Sequence, residues 1–110
     1  MRLRSSRRVA AALLLAGLAL SVAGNAGADP LAGQRLAETW CARCHAVKPG
    51  HASPVRTVPR FTEMAQDPAI TEYTLRIFLQ IEHRTMPNFM IDRTDIDDLV
   101  DYITSLKQPR

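Results

Sequence analysis

Residues 41–45 read Cys41-Ala42-Arg43-Cys44-His45 and contain the only two cysteines of the 110-residue chain. Two thiols three positions apart, followed at once by an imidazole, form the attachment signature of a c-type haem. Each thiol can form a thioether to one vinyl group of the porphyrin, and the imidazole can bind the iron. The spacing therefore predicts one covalent haem c, with Cys41 and Cys44 as anchors and His45 as the proximal iron ligand.

Three other uses of this cysteine pair compete with haem attachment: a disulfide, a thioredoxin-type redox pair and half of a zinc site. A redox dithiol is typical of a βαβ pattern, and a zinc site needs a second pair of ligands at a regular distance. The sequence shows neither pattern. A nucleophilic cysteine enzyme is also disfavoured, because haem attachment would consume both thiols.

Residues 1–28 have the three parts of a secretory signal peptide. Four arginines precede the apolar stretch 9–22, and Ala26-Gly27-Ala28 forms a small-x-small cleavage site. The apolar stretch is shorter than the ~20 residues that a membrane-spanning helix needs. We therefore predict export to the periplasm, cleavage after Ala28, no membrane insertion of the product, and one mature domain over residues 29–110.

The formal net charge of +3 comes from the predicted signal peptide. Without residues 1–28, ten Lys and Arg remain against eleven Asp and Glu, which gives a formal net charge of −1. Two haem propionates would make the product more negative. The basic composition of the whole chain is therefore no sign of a nucleic-acid or membrane-surface partner.

Apolar residues recur at helical spacing in several segments of the mature part, and no segment alternates like a strand. The fold class is therefore predicted as all-α. Thr71 is predicted to cap the third helix, and Thr94 with Asp97 to form a capping box at the last. The predicted helices run from Pro30 to about Arg43, from Phe61 to Gln66, from Glu72 to about Gln80, and from Thr94 onward along the apolar face of Ile96, Leu99 and Ile103.

The presence or absence of a second axial ligand decides whether the iron is six-coordinate or has an open coordination position. Met86 is the strongest candidate, because it lies in an irregular segment between two predicted helices and Pro87 stiffens the turn. Met90 and His83 stay open as alternatives. Met64 is expected to fill the core, the usual role of methionine, and His51 to lie in a loop.

At this point the chain resembles a known family, the class I monohaem cytochromes c of the short bacterial type. The resemblance rests on the haem signature, on Gly33 eight residues before Cys41, and on the order of three further segments. Those segments are Pro59-Arg60-Phe61, His83-Arg84-Thr85-Met86-Pro87-Asn88-Phe89 and Leu99-Val100-Asp101-Tyr102-Ile103.

The resemblance implies three main helices and a short one around a covalently bound haem. It places Gly33 at a close crossing of the first and last helices, against Leu99 and Tyr102. It also implies that a proline carbonyl accepts the N–H of the proximal imidazole; Pro59 is the first choice and Pro54 the second. The family commonly has an aromatic residue where this chain has Ala37, so Trp40 or Tyr102 is expected to compensate.

The function implied is that of a soluble exported carrier of single electrons with His45/Met86 ligation, and not of an enzyme. Its partners would be a donor and an acceptor redox protein in transient contact, and the chain is expected to be a monomer. Two other functions remain open: a dedicated subunit of a periplasmic dehydrogenase or sulfur-oxidising complex, and a haem-based ligand-binding sensor. Arg43, Lys48, Arg56 and Arg60 are predicted to form a basic side that faces an acidic partner, opposite an acidic last helix.

Overall fold

The computed structural model describes residues 27–81 and 86–109, and within these ranges it consists of helices, turns and loops without a strand. The predicted all-α class is confirmed. The helices are α1 (Pro30–Leu36), which continues as a π-helical segment (Ala37–Cys41), α2 (Phe61–Gln66), α3 (Glu72–Gln80) and α4 (Arg93–Ser105). Across the described part of the chain, none of them is long and apolar enough to span a membrane.

The first helix begins at Pro30, as predicted, but changes its winding before it ends. The Asp29 side chain accepts the N–H of Leu31 at 2.9 Å, and Pro30 occupies the first turn, where its missing N–H costs nothing. Further on, the Ala42 N–H donates to the Ala37 carbonyl at 3.0 Å, a bond that spans five residues instead of four. The predicted regular helix to about Arg43 is therefore a helix to Leu36 followed by a wider π turn that leads into the cysteine motif.

The short helices α2 and α3 have the predicted bounds. Thr71 caps α3: its hydroxyl accepts the Thr74 N–H at 3.2 Å, and the Thr74 hydroxyl accepts the Thr71 N–H at 2.7 Å. This reciprocal pair satisfies two backbone donors that a helix N-terminus otherwise leaves open.

The predicted capping box of Thr94 with Asp97 is wrong. The cap of α4 is Asp92, whose carboxylate accepts the Asp95 N–H at 2.9 Å, and Thr94 lies inside the first turn. Asp is at least as good a cap as Thr, and an earlier start lets the Ile96 N–H bond to the Asp92 carbonyl at 2.9 Å. The helix therefore starts one residue before Thr94.

Helices α1 and α4 cross at Gly33, as the resemblance implied. A Cβ atom on Gly33 would overlap the backbone carbonyl of Asp98 and would lie 2.9 Å from the Cβ of Tyr102. Tyr102 is thus a partner as expected, and the backbone of Asp98 lies closer still. Only a residue without a Cβ allows the two backbones to approach this closely.

The core lies beneath this crossing. Leu99, Val100 and Ile103 of α4 are fully buried, and Phe61 at the start of α2 packs with its ring 6.3 Å from that of Tyr102. The buried Tyr102 hydroxyl donates to the Val47 carbonyl at 2.7 Å, which holds α4 to the loop after the cysteine motif. Ala37 belongs to the same buried cluster as Tyr102, whereas Trp40 packs at the edge of the cluster.

Candidate haem-attachment site

The cysteine motif forms a single tight turn at the end of the π-helical segment. The N–H groups of Cys44 and His45 both donate to the Cys41 carbonyl, at 3.1 and 2.9 Å. Both thiols are free; Cys41 is buried, whereas Cys44 and His45 are half-buried. The turn therefore presents two unlinked thiols and an imidazole from five consecutive residues.

The environment of Cys41 disfavours the redox and zinc alternatives. Burial raises the pKa of its thiol to about 11, so at neutral pH the group is a thiol and not the thiolate that both chemistries need. In the part of the chain that the structure describes, no three His, Cys, Asp or Glu side chains are placed to share a metal ion. Two thioether bonds need no further ligands, so the residues present fit haem attachment better.

His45 is oriented by the loop that follows it. Its Nδ1 lies 2.7 Å from the Pro59 carbonyl oxygen, and since a carbonyl only accepts, Nδ1 carries the proton. The lone pair of the imidazole is then on Nε2, the atom that can bind iron, and the hydrogen bond raises its donor strength. The Phe61 N–H donates to the Ala46 carbonyl at 3.0 Å, which brings Pro59 back to the motif.

The candidates for the second axial ligand differ in burial. Met86 is half-buried, whereas Met90 is 88% exposed and has a left-handed backbone with φ of 48°. The Asn88 side chain accepts the Met90 N–H at 3.0 Å, a local turn that directs Met90 outward. Met64 packs partly buried against the core, and His51 is exposed. His83 lies outside the described residues.

An aromatic contact that sequence reasoning missed joins the Met86 segment to the cysteine motif. The rings of Trp40 and Phe89 stack, with centroids 6.2 Å apart and planes inclined by 10°. Trp40 directly precedes Cys41, and Phe89 is three residues beyond Met86. The contact ties the segment that carries the candidate ligand to the helix that carries the first anchor, and no local spacing signals a pair so far apart in the chain.

Eight large apolar side chains among the described residues remain in contact with solvent. They lie on α1, on α3 and in the connecting loops. Those exposed by more than a third are Leu31, Val55, Tyr73, Ile77, Phe78, Ile81, Phe89 and Met90. The thiol pair and the oriented imidazole are the features of the described residues that fit a covalently held haem.

A family model described as subunit III of cbb3-type cytochrome c oxidase matches residues 28–103. The chain belongs to this family of c-type cytochromes. It is also 37% identical over 94 residues to cytochrome c-552 of Bradyrhizobium diazoefficiens, an alignment that covers 86% of this chain and 90% of the relative. No solved structure is significantly similar to this chain. The predicted family, the covalent haem c with its iron, and the electron-transfer class are thereby confirmed.

The charges of this cytochrome are more paired than the sequence predicted. Lys48 lies 2.8 Å from a Glu38 carboxylate oxygen, and Arg60 lies 2.7 Å from Glu63. Of the predicted basic side, only Arg43 and Arg56 are exposed without an ion pair among the described residues. The basic side is therefore smaller than predicted.

The acidic residues of α4 are partly engaged as well. Asp97 accepts from Arg76 at 3.1 Å, a contact that joins α3 to α4. Asp98 is buried and accepts the N–H of Asp29. The predicted acidic face of α4 is therefore in part a set of internal contacts.

Proposed function

We propose that this cytochrome is a soluble, exported carrier of single electrons, with His45 and Met86 as the axial ligands of its haem iron. The observation that carries the proposal is the hydrogen bond between His45 Nδ1 and the Pro59 carbonyl, at 2.7 Å. It presents Nε2 for the iron from a fixed ring orientation. The half-buried Met86 lies on a segment that the Trp40–Phe89 stack holds to the motif.

Each residue of the site then has a separate role. When bound, the haem supplies an iron that alternates between the ferrous and ferric states. Cys41 and Cys44 hold it through thioethers, and Pro59 orients His45 and strengthens it as a donor. The Met86 thioether favours the reduced state, so this ligand pair gives a higher reduction potential than two imidazoles would. No side chain is required to move a proton or to form a bond during transfer.

The exported location is part of this proposal. Residues 1–26, which hold most of the predicted signal peptide, lie outside the described residues, so the sequence pattern carries this part. Membership in a family of c-type cytochromes supports it, since such proteins are typically exported. The mature product is proposed to be the single domain 29–110, a monomer that meets its donor and acceptor in small, transient contacts.

Redox titration of the purified cytochrome tests the carrier function. We expect a one-electron transition, a Met-to-iron charge-transfer band in the ferric spectrum, and no uptake of carbon monoxide by the ferrous protein at neutral pH. Six-coordinate ligation leaves no open position, which is the physical reason for the last result. Tight carbon monoxide binding by the unmodified protein would instead support a ligand-binding sensor.

Exposed apolar residues on α3 and directly after it favour a second candidate, a dedicated subunit of a periplasmic dehydrogenase or sulfur-oxidising complex. Tyr73, Ile77 and Ile81 recur every four residues and are all exposed. Such a stripe is suited to a permanent protein contact. Gel filtration of a periplasmic extract separates the two proposals: a free carrier elutes at the size of the mature chain, and a subunit elutes with its enzyme.

The two exposed arginines near the motif, Arg43 and Arg56, predict how the rate of electron transfer depends on salt. Oxidation of the ferrous protein by the hexacyanoferrate(III) anion is expected to slow as ionic strength rises, although the mature chain has a negative formal charge. The reason is local: the unpaired Arg43 and Arg56 attract the anion near the motif. Stopped-flow rates measured over a range of salt concentrations check this.

A matched pair of variants separates local from overall charge in that experiment. Arg43→Gln is expected to lower the rate at low salt severalfold, whereas Lys107→Gln, which removes one charge beyond the end of α4, leaves it almost unchanged. A rate that does not change with salt, or that rises with it, would contradict the attraction of the oxidant by Arg43 and Arg56.

A further inference from the structure

Asp98 is the only buried charged side chain among the residues that the structure describes, with 8% of its surface exposed. Its Oδ1 accepts the backbone N–H of Asp29 at 2.7 Å, across the contact between α4 and the start of α1. None of the ion pairs within the described ranges includes Asp98. A carboxylate removed from water is costly unless a cation compensates its charge.

The charges around Asp98 do not supply that compensation. The Asp29 side chain caps α1, and its nearest cation, Arg35, is 3.8 Å away and largely exposed. Burial, followed by the charges of Asp92 and Asp98, raises the pKa of the Asp95 carboxyl above its ordinary value. Negatively charged side chains are thus concentrated at the start of α4. The buried one, Asp98, accepts a hydrogen bond from a neutral N–H.

The nitrogen that faces Asp98 is the one that the predicted cleavage after Ala28 would release. We propose that removal of residues 1–28 creates an ion pair between the new α-ammonium group of Asp29 and the buried carboxylate of Asp98. A peptidase would hydrolyse the Ala28–Asp29 amide with one water molecule: the C–N bond breaks, Ala28 leaves as a carboxylate, and the Asp29 nitrogen is protonated. The donor atom is the same nitrogen, which now carries a positive charge.

Replacing the amide N–H of Asp29 by an ammonium group strengthens its contact with Asp98, at the close crossing of α1 and α4. A hydrogen bond between two charged groups is roughly twice as strong as one between neutral groups. A free ammonium at a helix N-terminus is otherwise disfavoured by the helix dipole, and the Asp98 carboxylate offsets that cost. The backbone carbonyl of Asp98 is also the atom that Gly33 approaches, so the ion pair holds the same crossing together. Processing therefore stabilises the mature fold relative to the precursor.

Two lengths of the holo-cytochrome, one starting at Asp29 and one at Gly27, test the ion pair in combination with Asp98→Asn. In the chain that starts at Asp29, the substitution is expected to raise the unfolding equilibrium constant about tenfold, because it removes the charge partner of the ammonium. In the longer chain the effect should be about twofold or less, since the side-chain amide oxygen of the variant still accepts a neutral N–H. Denaturant unfolding followed by circular dichroism gives both constants.

Asp97→Asn is the matched control, because Asp97 pairs with Arg76 and not with the chain terminus. Its effect should be the same in both lengths. Equal effects of Asp98→Asn in the two lengths would overturn the proposal, and so would an exported protein whose intact mass shows a start other than Asp29.

A measurement on the folded protein avoids any dependence on the stability of the variants. Acetic anhydride should modify the α-amine more slowly in the chain that starts at Asp29 than in the chain that starts at Gly27, since an ammonium paired with a carboxylate is less often deprotonated. Equal rates would overturn the ion pair. None of these results depends on which residues ligate the iron.

Discussion

Met86→Ala is expected to abolish the Met-to-iron charge-transfer band of the ferric protein and to lower its reduction potential by a few tenths of a volt. The loss of a soft thioether removes the preference for ferrous iron, and axial ligand identity can change haem potentials over a range of about 0.8 V. The open position should also let the ferrous variant bind carbon monoxide. Absorption spectroscopy and a potentiometric titration measure all three effects.

Met90→Ala is the control for this variant. Met90 is 88% exposed, so its removal should leave the band, the potential and the folding stability nearly unchanged. Persistence of the band in Met86→Ala, or its loss in Met90→Ala, would contradict the ligand assignment. A bis-histidine site that uses His83 would be recognised without any variant, because the unmodified ferric protein would then lack the band.

Gly33→Ala is expected to destabilise the fold by about 3 kcal/mol or more, the upper range for overpacking a tight contact. The added methyl would overlap the backbone of Asp98, and a backbone carbonyl cannot turn aside as a flexible side chain can. The ~1 kcal/mol that alanine gains over glycine in a helix is too small to offset this. The denaturant midpoint of the holo-protein measures the change.

Gly50→Ala provides the same substitution without the steric conflict. No atom lies within 4 Å of the position that its Cβ would occupy, and its φ of +79° is the only source of strain. That conformation costs an alanine about 1–2 kcal/mol. Equal losses at the two glycines would show that close helix approach is not what Gly33 provides.

Local signals in the sequence were sufficient to predict the bounds of the short helices α2 and α3. The bounds of α2 and α3 follow from Phe61, from the Thr71 cap and from the break before Pro68, all of which act within one helical turn. The same locality explains the error at α4, where two acceptable caps compete. Asp92 is used instead of Thr94, because the whole first turn and its packing decide between caps of similar quality.

The π-helical turn before Cys41 could not be predicted from the local spacing of residues. The apolar spacing of residues 30–43 is compatible with a regular helix, and no residue in it marks the change from four-residue to five-residue bonds. The stack of Trp40 on Phe89 is likewise invisible in the spacing. Both features depend on where distant segments of the chain pack, which a local pattern does not encode.

By itself, the sequence determined the all-α class and the covalent haem c, because attachment chemistry needs two thiols and an imidazole within five consecutive residues. Only the tertiary structure decided which carbonyl orients His45, which charges remain unpaired, and which carboxylate meets the backbone nitrogen of Asp29. Those contacts join separate segments of the chain, and only the folded backbone brings their atoms within hydrogen-bond distance.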